Sequence, residues 1–242
     1  MKNLNTPSII LKSKCIGHPI NFKWNKKKAE QFLDCLESNG GLEIALSHIN
    51  HKASVALTAA LLEWVLCRFS GYSKATNDIQ ERIEALWHST LYPANTKPIE
   101  FDLDLNFPAT GSVNGPIWIA LMNARLINAH YRKGSYFLQS ELTGLVLLVR
   151  HLTPKRKVFD KWFNNIIIEL SHFFPCAYNT NIDSVSDDDV YDSSDEPKVC
   201  REFFFDKDFE YSAEASENAI NNFIKNLDYE KNPFLMITEK AS

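Results

Sequence analysis

A chain of 242 residues with 45% hydrophobic and 23% charged side chains is long enough to bury a substantial core, which excludes disorder throughout. Its 26 Lys and Arg against 30 Asp and Glu leave a formal charge of −4, ordinary for a single globular domain spanning residues 1–242. Five cysteines are an odd number, widely spaced and without a CxxC pair, so a disulfide framework is excluded and reduced thiols are expected.

The first twenty residues hold only the short apolar run Ile9-Ile10-Leu11 and no small-residue cleavage site, so no secretory signal is read there and a soluble, cytoplasmic protein is expected. Residues 1–34 carry seven lysines against Glu30 and Asp34, a basic start to an acidic chain. Ile9 to Ile16, with Lys12 and Lys14 on one face, is a candidate partner for an acidic strand further on. Helices are predicted over Lys26 to Ser38, and over Leu42 to Phe69 with a break near His48 to His51. Within the latter, Ala53 to Cys67 is an apolar stretch of about fifteen residues that contains Glu63 and is flanked by Lys52 and Arg68. It falls short of the roughly twenty residues that span a bilayer, so it is read as a buried helix. Cys35 and Cys67 sit in apolar helical patterns, as small core residues do. Lys74 to His88 is the next helix.

Between Pro98 and Pro108 the period changes. Ile99, Phe101, Leu103, Leu105 and Phe107 alternate with Glu100, Asp102, Asp104 and Asn106, the period of a strand. Either it pairs, so that Glu100 and Asp102 meet Lys12 and Lys14, or it is an edge that shows a carboxylate stripe to solvent. Asn114-Gly115-Pro116 then opens a helix with Ile117, Leu121, Ala124 and Tyr131 on its inner face. Leu138, Leu142, Leu145, Val149 and Leu152 form the stripe of another helix. A following helix, predicted to open at Thr153-Pro154, carries Phe159, Trp162, Phe163, Ile166, Leu170 and Phe173. These two form a predicted hairpin. Residues 183–217 hold thirteen Asp and Glu against Lys198, Arg201 and Lys207. Their densest part, Asp187, Asp188, Asp189 and Asp192, lies in a flexible acidic insert expected at about 178–200, either a solvated linker or a recognition element. Ser212 caps a last helix over Ala213 to Leu227. The fold class that follows is mainly α: an irregular multi-helix bundle or stacked helical array of about seven or eight helices, with a minor β element near 99–107.

Over Ile99 to Arg132, an acidic-apolar strand, a Thr110-Gly111 turn and Gly115-Pro116-Ile117-Trp118 opening a helix with Ala120, Ala124 and Arg125 resemble a segment of the helical immunity proteins of bacterial polymorphic-toxin systems. The resemblance implies a mostly helical chain that binds and neutralises a cognate toxin in the cytosol without catalysis. It carries over no individual functional residue.

Chemistry is sparse. The chain has no GxSxG elbow, phosphate-binding GxxxxGK[ST] loop, GxGxxG or HExxH. His48 and His51 lie three apart, and Glu169 and His172 match the spacing of a di-iron motif that needs a second copy, which is missing. Cys176 follows Phe173-Phe174-Pro175 with nothing to lower its thiol pKa. Asp183 to Glu196 has the composition of a calcium loop without its glycine and glutamate register. The one basic cluster, Lys23 to Lys28, is too small for a nucleic-acid footprint. The leading expectation is a non-catalytic protein-binding protein without a cofactor or metal. Its partner is a protein, in the most specific reading a toxin with a basic surface, met by Glu100, Asp102, Asp104, Asp187, Asp188, Asp189 and Asp192. A metal-dependent or cysteine-dependent helical enzyme and an adaptor or effector scaffold are the alternatives.

Overall fold

The computed structural model describes residues 5–33, 39–100, 110–178 and 190–236. In them the chain is mainly helical: α1 (Ser8–Lys12), α2 (Lys26–Glu30), α3 (Gly40–Ser47), α4 (His51–Phe69), α5 (Thr76–Ser89), α6 (Asn114–Lys133), α7 (Gln139–Leu152), α8 (Arg156–Phe173), α9 (Arg201–Phe205) and α10 (Ala213–Ile224). Among the described residues strand pairing is limited to isolated bridges, Ile49 with Pro175 and Thr96 with Leu235. No described helix is long and apolar enough to cross a membrane.

The bundle is built around α4, which packs on α5, α6, α7 and α9. Every residue of α4 except Leu66 is buried, as expected of a helix that is apolar all round. Asn50 caps it, its side chain accepting from Ala53 N at 2.8 Å. The helix nevertheless buries His51, Lys52, Glu63 and Arg68. Burial of such groups is tolerable only when they are paired, and together they anchor distant segments of the chain. His51 and Lys52 meet the segment around Glu196. Glu63 takes a two-pronged contact from Arg201, Nε to Oε1 and Nη2 to Oε2 both at 2.7 Å, and the Trp87 indole N–H at 3.1 Å. Arg68 donates to the carbonyls of Leu152, His18 and Pro19. The spine thus gathers both ends of the chain by polar contacts inside an apolar core.

The helical stripes lie where their periods put them. Ile117, Leu121, Ala124 and Tyr131 of α6, Leu142, Leu145, Val149 and Leu152 of α7, and Phe159, Trp162, Phe163, Ile166 and Leu170 of α8 are all buried; Phe173 is half exposed at the end of α8. Helices α6 and α7 approach closely at Gly144, where a Cβ would come within 2.2 Å of the Phe32 carbonyl oxygen. That carbonyl accepts from Asn123 Nδ2 at 3.0 Å, so the turn after α2 is bonded to α6 at the place where it touches α7.

Three expectations are corrected. The stretch read as a strand from Ile9 opens as helix: Pro7 O accepts from Ile10 N and Leu11 N, which turns Ile10 into the core, leaves Leu11 outside and packs α1 on α8. Three successive apolar residues serve one turn of helix better than an alternating strand, which would bury only every second residue. Thr153 does not open α8. It closes α7, its hydroxyl donating to Val149 O at 2.8 Å, and α8 starts after Lys155. The helix number exceeds the expected seven or eight because α1 and α9 have five residues each, too short for a period to be read. Of the element near 99–107, Ile99 and Glu100 belong to the described residues; 101–107 lie outside them, as does Cys35.

Candidate functional site

The two acidic segments singled out in the sequence have their described ends on one helix, α6. On one side, Ile99 is buried and its backbone N–H donates to Asn128 Oδ1 at 3.2 Å. The carbonyl of Glu100 accepts from the Arg82 guanidinium, and the Glu100 side chain is exposed. The lead-in is fixed as well: Arg132 of α6 donates to the Thr96 carbonyl, and Thr96 Oγ1 meets His88 Nδ1 at 2.8 Å. On the other side, Tyr191 N donates to Gly134 O at 2.8 Å. Gly134 ends α6 in the left-handed region, φ 67°, and a Cβ there would lie 2.6 Å from the Tyr191 carbonyl. Glycine is therefore required twice over, for the cap and for the close approach. Asn128 and Gly134 are about 9 Å apart along the helix.

Between these two roots lies a cavity of about 560 Å³, bordered by Asn128, Tyr131, Arg132, Val190, Tyr191 and Asp192 among others. Val190 is 71% exposed, and Tyr92, next to the cavity wall at Pro93, is 41% exposed. Asp192 is exposed and accepts from Ser194 N at 2.9 Å; that bond holds its carboxyl below the usual range. The cavity wall thus combines Pro93, Ala94 and Val190 with one carboxylate, Asp192, and one guanidinium, Arg132.

The return of the second segment is held by an aromatic clamp. The rings of Tyr178 and Tyr191, which bracket residues 179–189, lie 4.6 Å apart, and both pack on His51, at 5.5 and 4.6 Å. Glu196, 9% exposed, completes the clamp. Its Oε1 accepts from His51 N at 3.0 Å and from the Tyr191 hydroxyl at 3.0 Å, and its Oε2 accepts from Lys52 N at 2.7 Å. A carboxylate on the first N–H groups of α4 satisfies orphan donors and faces the positive end of the helix dipole. Lys52 Nζ closes the arrangement by donating to Ser194 O at 2.7 Å and Glu196 O at 2.8 Å. His51 Nε2 lies 2.6 Å from Ser135 O, so that nitrogen carries the proton; burial lowers the pKa of the ring and favours the neutral form. From Tyr191 onward the insert is thus tied to the core through Tyr191 and Glu196, whereas Asp187, Asp188 and Asp189, like Asp102 and Asp104, lie outside the described residues.

The other constellations do not assemble. His48 is exposed at the end of α3 and His51 is buried at the start of α4. Glu169 and His172 are exposed on α8. Among the described residues no group of three His, Cys, Asp or Glu side chains is arranged to hold a metal ion. Cys15, Cys67, Cys176 and Cys200 are free thiols, and burial raises all four, Cys67 to about 12 and Cys200 to about 11. A thiol so shifted ionises less readily than a free one, and Cys15, Cys67 and Cys200 are buried while Cys176 is part-buried. The residues missed in the sequence are Tyr178, Tyr191 and Glu196. A tyrosine on each side of an aspartate run was the signal available, since an aromatic ring at each edge of a polar segment marks where it returns to the core.

His88, which supports the first root, is buried, and its pKa is lowered to about 4 by desolvation. An ordinary unfolded histidine titrates near 6.5. Above pH 6.5 both states are neutral and nothing is lost. As pH falls from about 6.5 toward 4, the unfolded chain takes up a proton that the folded chain refuses, so stability falls. Burial of His51 and His151 acts in the same direction, while His130, raised by the Glu141 carboxylate 3.6 Å away, acts oppositely. The thermal midpoint is expected to drop between pH 7 and pH 5, and His88→Asn, which can keep the donor to Thr96, is expected to make the drop shallower. An unchanged profile in that variant would refute the assignment.

Comparison with family models, with curated proteins and with solved structures finds no match for the chain.

Proposed function

We propose that this is a non-catalytic protein-binding protein whose face around α6 docks on a basic surface of its partner. In its most specific form the proposal is a cytoplasmic immunity protein that neutralises a cognate bacterial toxin by covering its basic active-site surface. The observation that carries the docking reading is the common root of the two acidic segments on Asn128 and Gly134 of α6. A partner can meet both at once, with Val190 and Tyr92 exposed beside them. Holding both ends of the second segment limits the chain entropy lost when carboxylates are ordered on a partner. Carboxylates so presented can occupy the subsites that a toxin uses for phosphate, and they speed the encounter electrostatically. The toxin form rests in addition on the resemblance over Ile99 to Arg132.

Co-expression with the protein encoded beside it tests the reading. If the neighbour is toxic when expressed alone, growth returns on co-expression and the two proteins co-elute from a sizing column. A toxic neighbour that is neither bound nor neutralised would overturn the immunity form.

A further inference from the structure

Away from the α6 face the charge changes sign. At the start of α8, beside the turn from α7, lies a cavity of about 660 Å³, within the size range of small-molecule sites. Its polar lining is His18, Arg68, His151, Lys155, Arg156 and Lys157, together with neutral groups, and no lining residue is acidic. Arg68, 1% exposed, is the unusual member. Three of its N–H groups donate to the carbonyls of Leu152 at 3.0 Å, His18 at 2.7 Å and Pro19 at 2.9 Å. Those acceptors hold its geometry but carry no net charge, so among the described residues no carboxylate bonds this buried guanidinium at the cavity wall. Glu63, the buried carboxylate on the same helix, is committed to Arg201.

The neighbours add to this charge instead of cancelling it. Helix α8 has 18 residues, no side-chain cap and no acidic residue in its first turn. Carboxylates are the usual choice in a first turn, because the free N–H groups and the dipole favour negative charge. Here Lys155, Arg156 and Lys157 stand in their place, all exposed. Asp160, one turn on, is occupied by Arg150 through Nε at 2.7 Å and Nη2 at 3.1 Å. His151 Nε2 is buried without a hydrogen-bond partner, and its ring packs 5.5 Å from Phe22. A cavity lined by a buried arginine, a helix start and three basic side chains favours negative charge.

We infer that this cavity binds a phosphate-bearing small molecule, with the phosphate at the start of α8 among Lys155, Arg156 and Lys157 and the organic part toward Phe22 and Val158. Arg68 acts as the fixed positive wall. The site is separate from the α6 face, and its occupancy does not depend on the protein-docking reading.

Titration with inorganic phosphate, pyrophosphate and adenosine monophosphate tests it, followed by calorimetry and by the ring signals of His151 in NMR at constant ionic strength maintained with chloride. The wild-type chain is expected to bind a phosphate species with a shift of the His151 signals. The triple variant Lys155→Gln/Arg156→Gln/Lys157→Gln, whose changes are all at exposed positions, is expected to bind about tenfold more weakly or worse. The charge-matched variant Lys207→Gln/Lys225→Gln/Lys231→Gln is expected to bind as the wild type does. Tighter binding of adenosine monophosphate than of pyrophosphate would support the organic group in the cavity; the reverse order would overturn that part of the inference. No binding at millimolar concentration, or equal loss in both triple variants, would overturn the inference.

Discussion

Arg201→Met is expected to lower the free energy of unfolding by about 3 to 5 kcal/mol, the cost of leaving one member of a buried ion pair alone. Glu63 is 2% exposed in the middle of α4, and without Arg201 it would keep only the Trp87 indole as a donor. Burial already pushes its carboxyl up, against the pull of Arg201. The variant is therefore expected to lower the thermal midpoint by on the order of 10 °C and to release α9, which carries Arg201 and is tied to the Asn5 carbonyl through the same guanidinium. The double variant Glu63→Leu/Arg201→Met removes both charges and is expected to recover most of the loss, because a buried pair is worth little more than well-packed apolar side chains of similar volume. Urea denaturation of the three proteins decides it. A double variant no more stable than Arg201→Met would contradict this and show that the loss does not come from a carboxylate left buried alone.

Removing the other buried anchor has a different signature. Glu196→Ala leaves the His51 and Lys52 N–H groups and the Tyr191 hydroxyl without their shared acceptor. Each bond to a charged group contributes about 1.5 to 3 kcal/mol at most, and water can reach part of the vacated space, so a net loss on the order of 3 kcal/mol is expected. Hydrogen exchange should accelerate at the start of α4 and over 190–200 while the α6 and α7 amides stay protected, since the carboxylate's hydrogen bonds go to His51, Lys52 and Tyr191. Glu196→Gln keeps one acceptor oxygen and should fall between. Uniform acceleration across all helices would mean that Glu196 supports the whole core instead of the clamp.

The helices were legible wherever one face of a long period was apolar. The stripes of α6, α7 and α8, the break at His48 to His51 and the burial of Ala53 to Cys67 follow from spacing alone. Local reading failed where one turn of helix competes with a strand, as at Ile10, and where a threonine beside a proline can end one helix as readily as start the next, as at Thr153. The carboxylates at Glu100 and Asp192 were legible as charge, but their common root was not. Asn128 and Gly134 are separated by 29 and 57 residues from the positions they hold, Ile99 and Tyr191, and no local pattern encodes such a pairing. The same is true of Glu196, which reads as one more acid in an acidic run and acts as the cap of α4. Long-range polar partners inside an apolar core are set by the packing of the helices, which the sequence displays only as burial.

We propose the α6 face as a protein-docking surface, and the affinity for the protein encoded beside this chain measures that most directly. Titration calorimetry of the wild type against Asp187→Lys/Asp188→Lys/Asp189→Lys/Asp192→Lys, at 50 mM and 300 mM salt, is expected to show binding weakened by about a hundredfold or more in the variant. The wild type alone should lose affinity as salt rises, because only its attraction is screened. Equal affinity of the two proteins at both salt concentrations would show that these carboxylates take no part in docking.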